Sequence, residues 1–188
     1  MKKAFIALLA SFATTTAAVA ADSYTADPTH TYPSFEISHL GFSTTRGAFH
    51  KAAGKVVLDT AARSGRIDIT IDTASINTGL GKRDDHLRGP DFFNAEQFPN
   101  ITFTSSKLKF NGDKLVGAEG ELTMLGVTRP VSLTVDSFVC GTHPLNKKAV
   151  CGANAVTTIK RSEWGMKTYL PAIGDDVKIA IQIEAFKD

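Results

Sequence analysis

The feature that most constrains the fold of this chain is an alternation of apolar and other residues with a period of two. The clearest runs are Ile67, Ile69 and Ile71; Val131, Leu133 and Val135; and Val177, Ile179, Ile181 and Ile183. Because successive side chains of a β-strand point to opposite faces, each run predicts a strand with one apolar and one mostly polar face. Such strands are typical of antiparallel sheets that bury one side and expose the other to water.

Turn-forming residues separate the alternating runs. Asn111-Gly112-Asp113 lies between two of them and predicts a hairpin. No helical pattern of about 10–15 residues lies between strands, which argues against units in which a helix links parallel strands. Many short strands in succession therefore predict a single all-β domain, folded as a sandwich or a barrel.

Residues 80–98 break this alternation. Arg83 to Arg88 is predicted to form a short helix that ends at Gly89-Pro90. Three phenylalanines then follow outside any predicted strand: Phe92, Phe93 and Phe98. They either plug one end of the core or form the floor or gate of a cavity, and the pattern alone does not choose between these interpretations.

The first 20 residues predict a secretion signal. Lys2 and Lys3 precede a short apolar run from Ala4 to Phe12, and Ala18-Val19-Ala20 fits the small-x-small cleavage pattern. The expected organisation is a signal peptide at residues 1–20 and one domain at residues 21–188.

The charge of the predicted mature chain limits its partners. Removing residues 1–20 removes two lysines and no acid, so the formal net charge of +2 becomes 0. Nucleic-acid binding requires clustered positive charge, so a nucleic-acid partner is not expected. A neutral surface also gives no strong attraction to anionic membranes, and membrane contact is expected only transiently.

Two cysteines lie close together in the sequence, at Cys140 and Cys151. In a secreted chain an even cysteine count predicts a disulfide, here across the base of a surface loop. Metal or redox thiols are the alternative, but this spacing fits neither a CxxC redox motif nor a common zinc site.

A set of motifs over nearly the whole predicted mature chain resembles the YceI-like family. They are Tyr24-x-x-Asp27-x-x-His30, His39-Leu40-Gly41, Gly47-x-Phe49, Arg83-Asp84-x-His86-Leu87-Arg88 with Asp91-Phe92-Phe93, Phe98-Pro99-x-Ile101-Thr102-Phe103-x-Ser105, and Gly120-x-Leu122-Thr123-Met124-x-Gly126-Val127-Thr128-x-Pro130-Val131. Each motif alone is weakly specific, whereas their order and spacing together are specific. The chain departs from the family pattern at Ala52-Ala53 and at Arg161-Ser162-Glu163-Trp164-Gly165.

The resemblance implies an extended eight-stranded antiparallel, lipocalin-like barrel with a short helix in the 80–94 connection. It further implies a periplasmic, non-enzymatic carrier of a polyisoprenoid, an isoprenoid quinone or a similar amphiphile, without a cofactor, acting as a monomer or homodimer. An eight-stranded barrel is just wide enough to be filled by side chains or to hold one slim ligand. A barrel filled by its own side chains, with a structural role, is the weaker alternative.

Candidate ligand-binding residues follow from the alternation and the aromatic segment. The apolar wall of the tunnel is expected to include Phe35, Ile37, Ile69, Phe92, Phe93, Phe103, Met124, Leu133, Trp164 and Ile181. If the ligand carries a phosphate, Arg83, His86 and Arg88 are expected at the mouth, because arginine pairs with phosphate through two parallel hydrogen bonds. The alternative is a helix held in place by Asp84, with Arg83 or Arg88 on the surface.

Catalysis is the competing hypothesis. A secreted lipid-modifying hydrolase would use His86 and nearby acids, but no GxSxG nucleophile motif is present. The five histidines show no HxH or HExxH spacing, so no metal site is expected: His30, His39, His50, His86 and His143.

Overall fold

The structure, a computed structural model, describes residues 21–188, and the predicted signal peptide at residues 1–20 lies outside the described residues. The strands are β1 (Asp22–Ala26), β2 (Tyr32–His39), β3 (Ser43–Phe49), β4 (Ala52–Asp59), β5 (Ser64–Asp72), β6 (Ile76–Asn77), β7 (Asn100–Asn111), β8 (Lys114–Met124), β9 (Val127–Thr142), β10 (Ala149–Lys160) and β11 (Ile173–Lys187). One α-helix, α1, spans Gly81–Arg88, and two 3-10 helices span Thr73–Ser75 and Arg161–Trp164. None of the helices in residues 21–188 is long and apolar enough to cross a bilayer.

The eleven strand segments form eight long strands of one closed antiparallel barrel. Three of the eight strands are interrupted. β1 and β2 together form the strand that pairs with β11, and β3 and β4 together form the strand beside it. β5 and β6 form the third interrupted strand, in which β5 pairs with β4 and β6 pairs with β3. Each later strand pairs with the next, and β1 closes the ring against β11 with Tyr24 opposite Lys187. The predicted eight-stranded barrel is thus confirmed.

The connections fall at two ends of the barrel. The end named here the helix end carries residues 40–42, the 78–99 connection with α1, residues 125–126 and residues 161–172. The opposite end, named the hairpin end, carries residues 60–63, 112–113 and 143–148. The predicted hairpin at Asn111-Gly112-Asp113 is confirmed, with Asn111 opposite Lys114 and Gly112 at a positive φ of 61° that glycine adopts at little cost.

Helix α1 confirms the predicted short helix, and buried polar contacts fix it to the barrel. Asp84 is 5% exposed and accepts hydrogen bonds from the Thr78 backbone N–H and hydroxyl. Arg88 reaches back to donate to the carbonyls of Ala74 and Ile76. Because an eight-residue helix is marginal by itself, these contacts with the preceding segment hold it in place.

The predicted disulfide is also present. Cys140 on β9 lies directly opposite Cys151 on β10, and the two sulfurs are bonded. The bond links the two strands of the β9–β10 hairpin just before its loop, as expected for a bridge across the base of a loop.

Candidate ligand-binding cavity

A cavity of about 450 Å³ runs inside the barrel. Its walls are the inward faces of the alternating strands, such as Ile67, Ile69 and Ile71 on β5. On β11 every second residue from Val177 to Ile183 lines it. The period-two pattern in the sequence therefore becomes the continuous apolar wall of an internal chamber.

The inward side chains keep accessible surface although they lie inside the barrel. Ile69 on β5 and Ile179 and Ile181 on β11 are only partly buried, while all three line the cavity. In a barrel filled by its own side chains, such residues would be in close contact on all sides. Their free surface faces the chamber, which leaves room for an apolar ligand.

The hairpin end of the chamber is closed by packed side chains. Tyr24, Leu58, Cys151 and Ala185 form a buried cluster there, each less than 9% exposed. Leu108 and Phe138 pack against this cluster. The cluster residues also line the cavity and form its wall at the disulfide-bearing end.

The helix end provides the mouth. His39 at the end of β2, His86 on α1 and Tyr169 in the 161–172 connection line the cavity and are also exposed to solvent. The ring of Tyr169 lies 6.1 Å from those of His86 and Phe92, centroid to centroid. An aromatic cluster thus surrounds the point where the apolar chamber meets water.

The polar groups predicted at the mouth separate into two sets. Arg83 and His86 line the cavity, and Arg83 is held by donating to the hydroxyl and carbonyl of Thr78 at 2.7 and 2.8 Å. Arg88 does not line it, because its guanidinium binds the Ala74 and Ile76 carbonyls and Asp85.

The predicted apolar lining is brought together almost completely. Eleven predicted residues line the cavity: Phe35, Ile37, Ile69, Arg83, His86, Phe92, Phe93, Phe103, Met124, Leu133 and Ile181. Trp164 does not, because it belongs to a 3-10 helix rather than a strand and is 2% exposed within the packed core. Its indole N–H donates to the Leu122 carbonyl at 3.2 Å. Trp164 and Arg88 thus support the wall and the helix instead of forming the cavity surface.

The structure also places a buried arginine, Arg161, at the cavity, which was not predicted from the sequence. Arg161 is 2% exposed, lines the cavity, and donates to the carbonyls of Met166, Thr168, Ile173 and Gly174 at 2.8–3.0 Å. Burial lowers its pKa from the ordinary value, and the nearby Asp175 carboxylate opposes that shift. Nothing in the local sequence distinguishes this arginine from an exposed one, although it opens the segment that departs from the family pattern.

In the catalytic alternative, His86 would act together with a nearby acid, and Asp91 lies beside it. His86 Nε2 lies 3.7 Å from Asp91 Oδ2, and both side chains are about half exposed or more. The hydrogen bonds of residues 21–188 include none between His86 and a hydroxyl or thiol. Across the same range, no three His, Cys, Asp or Glu side chains cluster as metal ligands would.

A closed antiparallel barrel around an apolar chamber is the architecture of a barrel-type binding protein. A family model described as "YceI-like domain" matches residues 24–185. Protein YceI of Escherichia coli O157:H7 is 35% identical over 156 residues, which cover 82% of this chain and 81% of the relative. The chain belongs to the YceI-like family, as its motifs indicated.

Solved structures show the same fold. BcnA of Burkholderia cenocepacia has a TM-score of 0.71 and 28% identity, with 85% of this chain and 98% of that chain covered. A polyisoprenoid-binding domain of Saccharophagus degradans has a TM-score of 0.66 and 19% identity, with 88% and 98% covered.

Proposed function

We propose that this protein is a non-enzymatic carrier that holds the tail of one long-chain isoprenoid lipid inside its barrel. The observation that carries the proposal is the apolar chamber whose isoleucines keep free surface inside the barrel. The similar barrel from Saccharophagus degradans, which is described as polyisoprenoid-binding, supports the same class of ligand. The ligand enters and leaves chemically unchanged.

The free energy of binding comes mainly from the tail. Each methylene group moved from water to an apolar interior contributes about 0.8 kcal/mol, so a tail of several isoprene units binds tightly with few polar contacts. The isoleucines of β5 and β11 form an apolar wall whose contacts are not directional, unlike hydrogen bonds. Such a wall suits a ligand that is recognised by its length and width.

The head group lies at the helix end, where Arg83 and His86 line the mouth. The guanidinium of Arg83 uses its Nε and one terminal nitrogen on Thr78 and has further N–H groups to offer. A phosphate or pyrophosphate would use these donors, whereas a quinone carbonyl would need a single neutral donor. We place the phosphate-bearing and quinone ligands in the same tail site.

The proposed compartment is the periplasm. The n-region, apolar run and cleavage pattern of residues 1–20 support export, and the Cys140–Cys151 disulfide suits an oxidising compartment. A lipid carrier has a clear use there, because its cargo must cross water between membranes.

Native mass spectrometry of protein purified from its own host tests the proposal. We expect a mass increment equal to one lipid, which is lost when the sample is extracted with organic solvent. Released lipid of unchanged structure supports a carrier. Absence of any increment, together with failure of the extracted protein to bind an added prenyl alcohol, would contradict the carrier.

Two neighbouring residues on β11 give a matched control. Ile181 lines the cavity, while Gln182 is exposed on the outer face. Ile181→Trp should reduce co-purified lipid by filling the chamber, and Gln182→Trp should leave it unchanged. Steady turnover of an ester or pyrophosphate lipid that ceases in His86→Ala would favour the hydrolase instead.

A further inference from the structure

Exposed apolar side chains are concentrated around the mouth of the cavity. Of the seven large apolar residues that are exposed within residues 21–188, four lie in connections at the helix end. They are Leu40, Phe42, Leu80 and Tyr169, and are named here the mouth rim. Single exposed apolar residues are common on proteins, but a group beside a ligand opening indicates an interaction surface.

Phe42 is the most exposed member of the mouth rim, with 91% of its surface accessible. It ends the β2–β3 turn, where Leu40 has a positive φ of 54° and Gly41 one of 74°. The Phe42 N–H donates to the His39 carbonyl at 3.0 Å, which closes the turn and holds the phenyl ring at its tip. An ordered tight turn thus presents a large apolar side chain to solvent.

The mouth rim is continuous with the chamber. The Leu40 N–H donates to the Ala172 carbonyl at 2.8 Å, which ties the β2–β3 turn to the connection that carries Tyr169. Tyr169 also lines the cavity, as does His39 one residue before Leu40. An apolar surface therefore leads from the exposed tip into the barrel.

We propose that the mouth rim docks onto a phospholipid bilayer, so that lipid passes between membrane and chamber without crossing water. The proposal rests on the carrier function, because a long tail exposed to water costs free energy that rises with every methylene group. A mouth pressed into the bilayer removes that cost during transfer.

Two exposed lysines flank the apolar side chains of the mouth rim. Lys82 follows Leu80 by two residues and Lys167 precedes Tyr169 by two, and both are exposed. Neither lysine forms a salt bridge within residues 21–188. Apolar side chains flanked by lysines are the composition of interfacial membrane anchors, in which the ring enters the acyl region and the ammonium stays among the phosphates.

Flotation with vesicles of phosphatidylethanolamine and phosphatidylglycerol (3:1) tests the docking with protein stripped of lipid. The partition coefficient of the Phe42→Ser variant onto the vesicles should be lower than that of the wild type by about tenfold or more, because the variant loses burial of a phenyl ring. Leu145→Ser is the matched control, since Leu145 is 85% exposed but lies at the hairpin end. Its partitioning should equal that of the wild type.

A fluorescent variant reports the depth of docking. Phe42→Trp places an indole at the tip, while the native Trp164 is 2% exposed and its emission should stay constant. We expect a blue shift on vesicle addition and quenching by brominated acyl chains. An unchanged emission would overturn the proposal.

The remaining outcomes separate docking from carrying. Equal flotation of wild type and Phe42→Ser would overturn docking while leaving the carrier function intact. Loss of vesicle binding in Phe42→Ser, together with failure of the stripped variant to bind a prenyl alcohol added in solution, would assign Phe42 to the ligand site or the fold and also overturn docking. A change of oligomeric state in Phe42→Ser, without a change in flotation, would show that the mouth rim contacts a second copy.

Discussion

At the scale of single residues, Arg161 contributes four hydrogen bonds to the structure of the helix end. Its guanidinium satisfies the carbonyls of Met166 and Thr168 in the 161–172 connection and those of Ile173 and Gly174 at the start of β11. A buried carbonyl that loses its donor costs about 1–3 kcal/mol, and a lysine has a single ammonium that cannot reach four diverging oxygens. The positive charge therefore has a structural use even before any ligand is considered.

Arg161→Lys should lower the free energy of unfolding by about 2–4 kcal/mol, because two or more buried carbonyls lose their donor. Urea denaturation followed by fluorescence of Trp164, the single tryptophan of the chain, measures the change. Arg129→Lys is the control, since Arg129 is exposed and makes one long hydrogen bond to the Glu163 carbonyl. The control should stay within about 0.5 kcal/mol of the wild type, and an equal loss in both variants would refute the role of Arg161.

Asp188 predicts an acid-dependent loss of stability. Hydrogen bonds from Ser23, Thr25 and Lys55 lower the pKa of its carboxyl from 3.8 to about 2. A lowered pKa in the folded state stabilises the protein above the unfolded value, and this contribution is lost as the pH falls from 3.8 through about 2. Wild type should therefore exceed Asp188→Asn in stability at pH 6, and the difference should shrink below pH 3.8 and be largely lost at about pH 2.

Urea midpoints of the two proteins across this pH range measure the effect. The Ser23→Ala/Thr25→Ala double variant keeps the carboxyl but removes two of its donors, so its stability should depend less on pH than that of the wild type. A difference between wild type and Asp188→Asn that is constant from pH 6 to pH 2 would contradict the assignment.

Two of the expected site residues, Trp164 and Arg88, do not line the cavity, each for its own physical reason. Strand alternation assigns faces only within strands, so it carries no information about Trp164 in a 3-10 helix. In α1 the helical period, rather than strand alternation, determines which side chains face the cavity. Residues 83 and 86 are separated by about 60° around the axis, whereas 83 and 88 are separated by about 140°. That geometry excludes Arg88 from the cavity face shared by Arg83 and His86.

At the scale of elements, the β9–β10 hairpin is the one that a covalent bond reinforces. The bond spans a sequence separation of 11 residues at the hairpin end of the barrel. In the chain-entropy model a loop of this size contributes about 3 kcal/mol by restricting the unfolded chain. The bridge therefore stabilises the end of the barrel that holds the buried cluster of Tyr24, Leu58, Cys151 and Ala185.

The Cys140→Ser/Cys151→Ser double variant should lose about 3 kcal/mol of unfolding free energy. Denaturant unfolding with and without a reductant provides the check. Reductant should lower the stability of the wild type towards that of the variant and leave the variant unchanged. Wild type and variant of equal stability in oxidising buffer would show that the bond adds nothing.

The sequence predicts the long alternating strands but not the positions where barrel strands are interrupted. The alternating runs of β5, β9 and β11 were identified from sequence because each buries one face only. The breaks between β1 and β2 and between β3 and β4 were not, since they depend on how neighbouring strands bend around the barrel. Asp27 and His30 occupy the first break, where their side chains hydrogen-bond at 2.7 Å. Such short-range polar contacts leave no periodic signal.

At the scale of the whole molecule, closure follows from strand order, while cavity size does not. Eight consecutive antiparallel strands with one apolar face each must bury those faces together, and joining β1 to β11 removes both exposed edges. How much space remains inside depends on the packing of individual side chains, which the sequence does not give. The sequence predicts a barrel, and the structure adds that the barrel contains a chamber of about 450 Å³.

The chamber predicts that affinity depends on tail length and then levels off. β7 and β10 have 12 residues each. At about 3.3 Å per residue, and tilted as barrel strands are, such strands enclose a tunnel of roughly 30 Å. Each further isoprene unit buries new apolar surface within that length, and any longer tail must fold back or protrude at the mouth. Dissociation constants for a series of prenyl alcohols should fall with length to a plateau.

Shortening the chamber should move that plateau. Ile69→Trp places a large ring on the cavity wall and should shift the preferred tail to fewer isoprene units, while the variant keeps a cooperative unfolding transition. Thr70→Trp is the matched control, because Thr70 is the next residue on β5 and is exposed outside the barrel. A plateau that moves in Ile69→Trp and not in Thr70→Trp ties length selection to the interior of the barrel. An affinity that is flat across the whole prenyl series in the wild type would instead mean that the tail does not occupy the chamber.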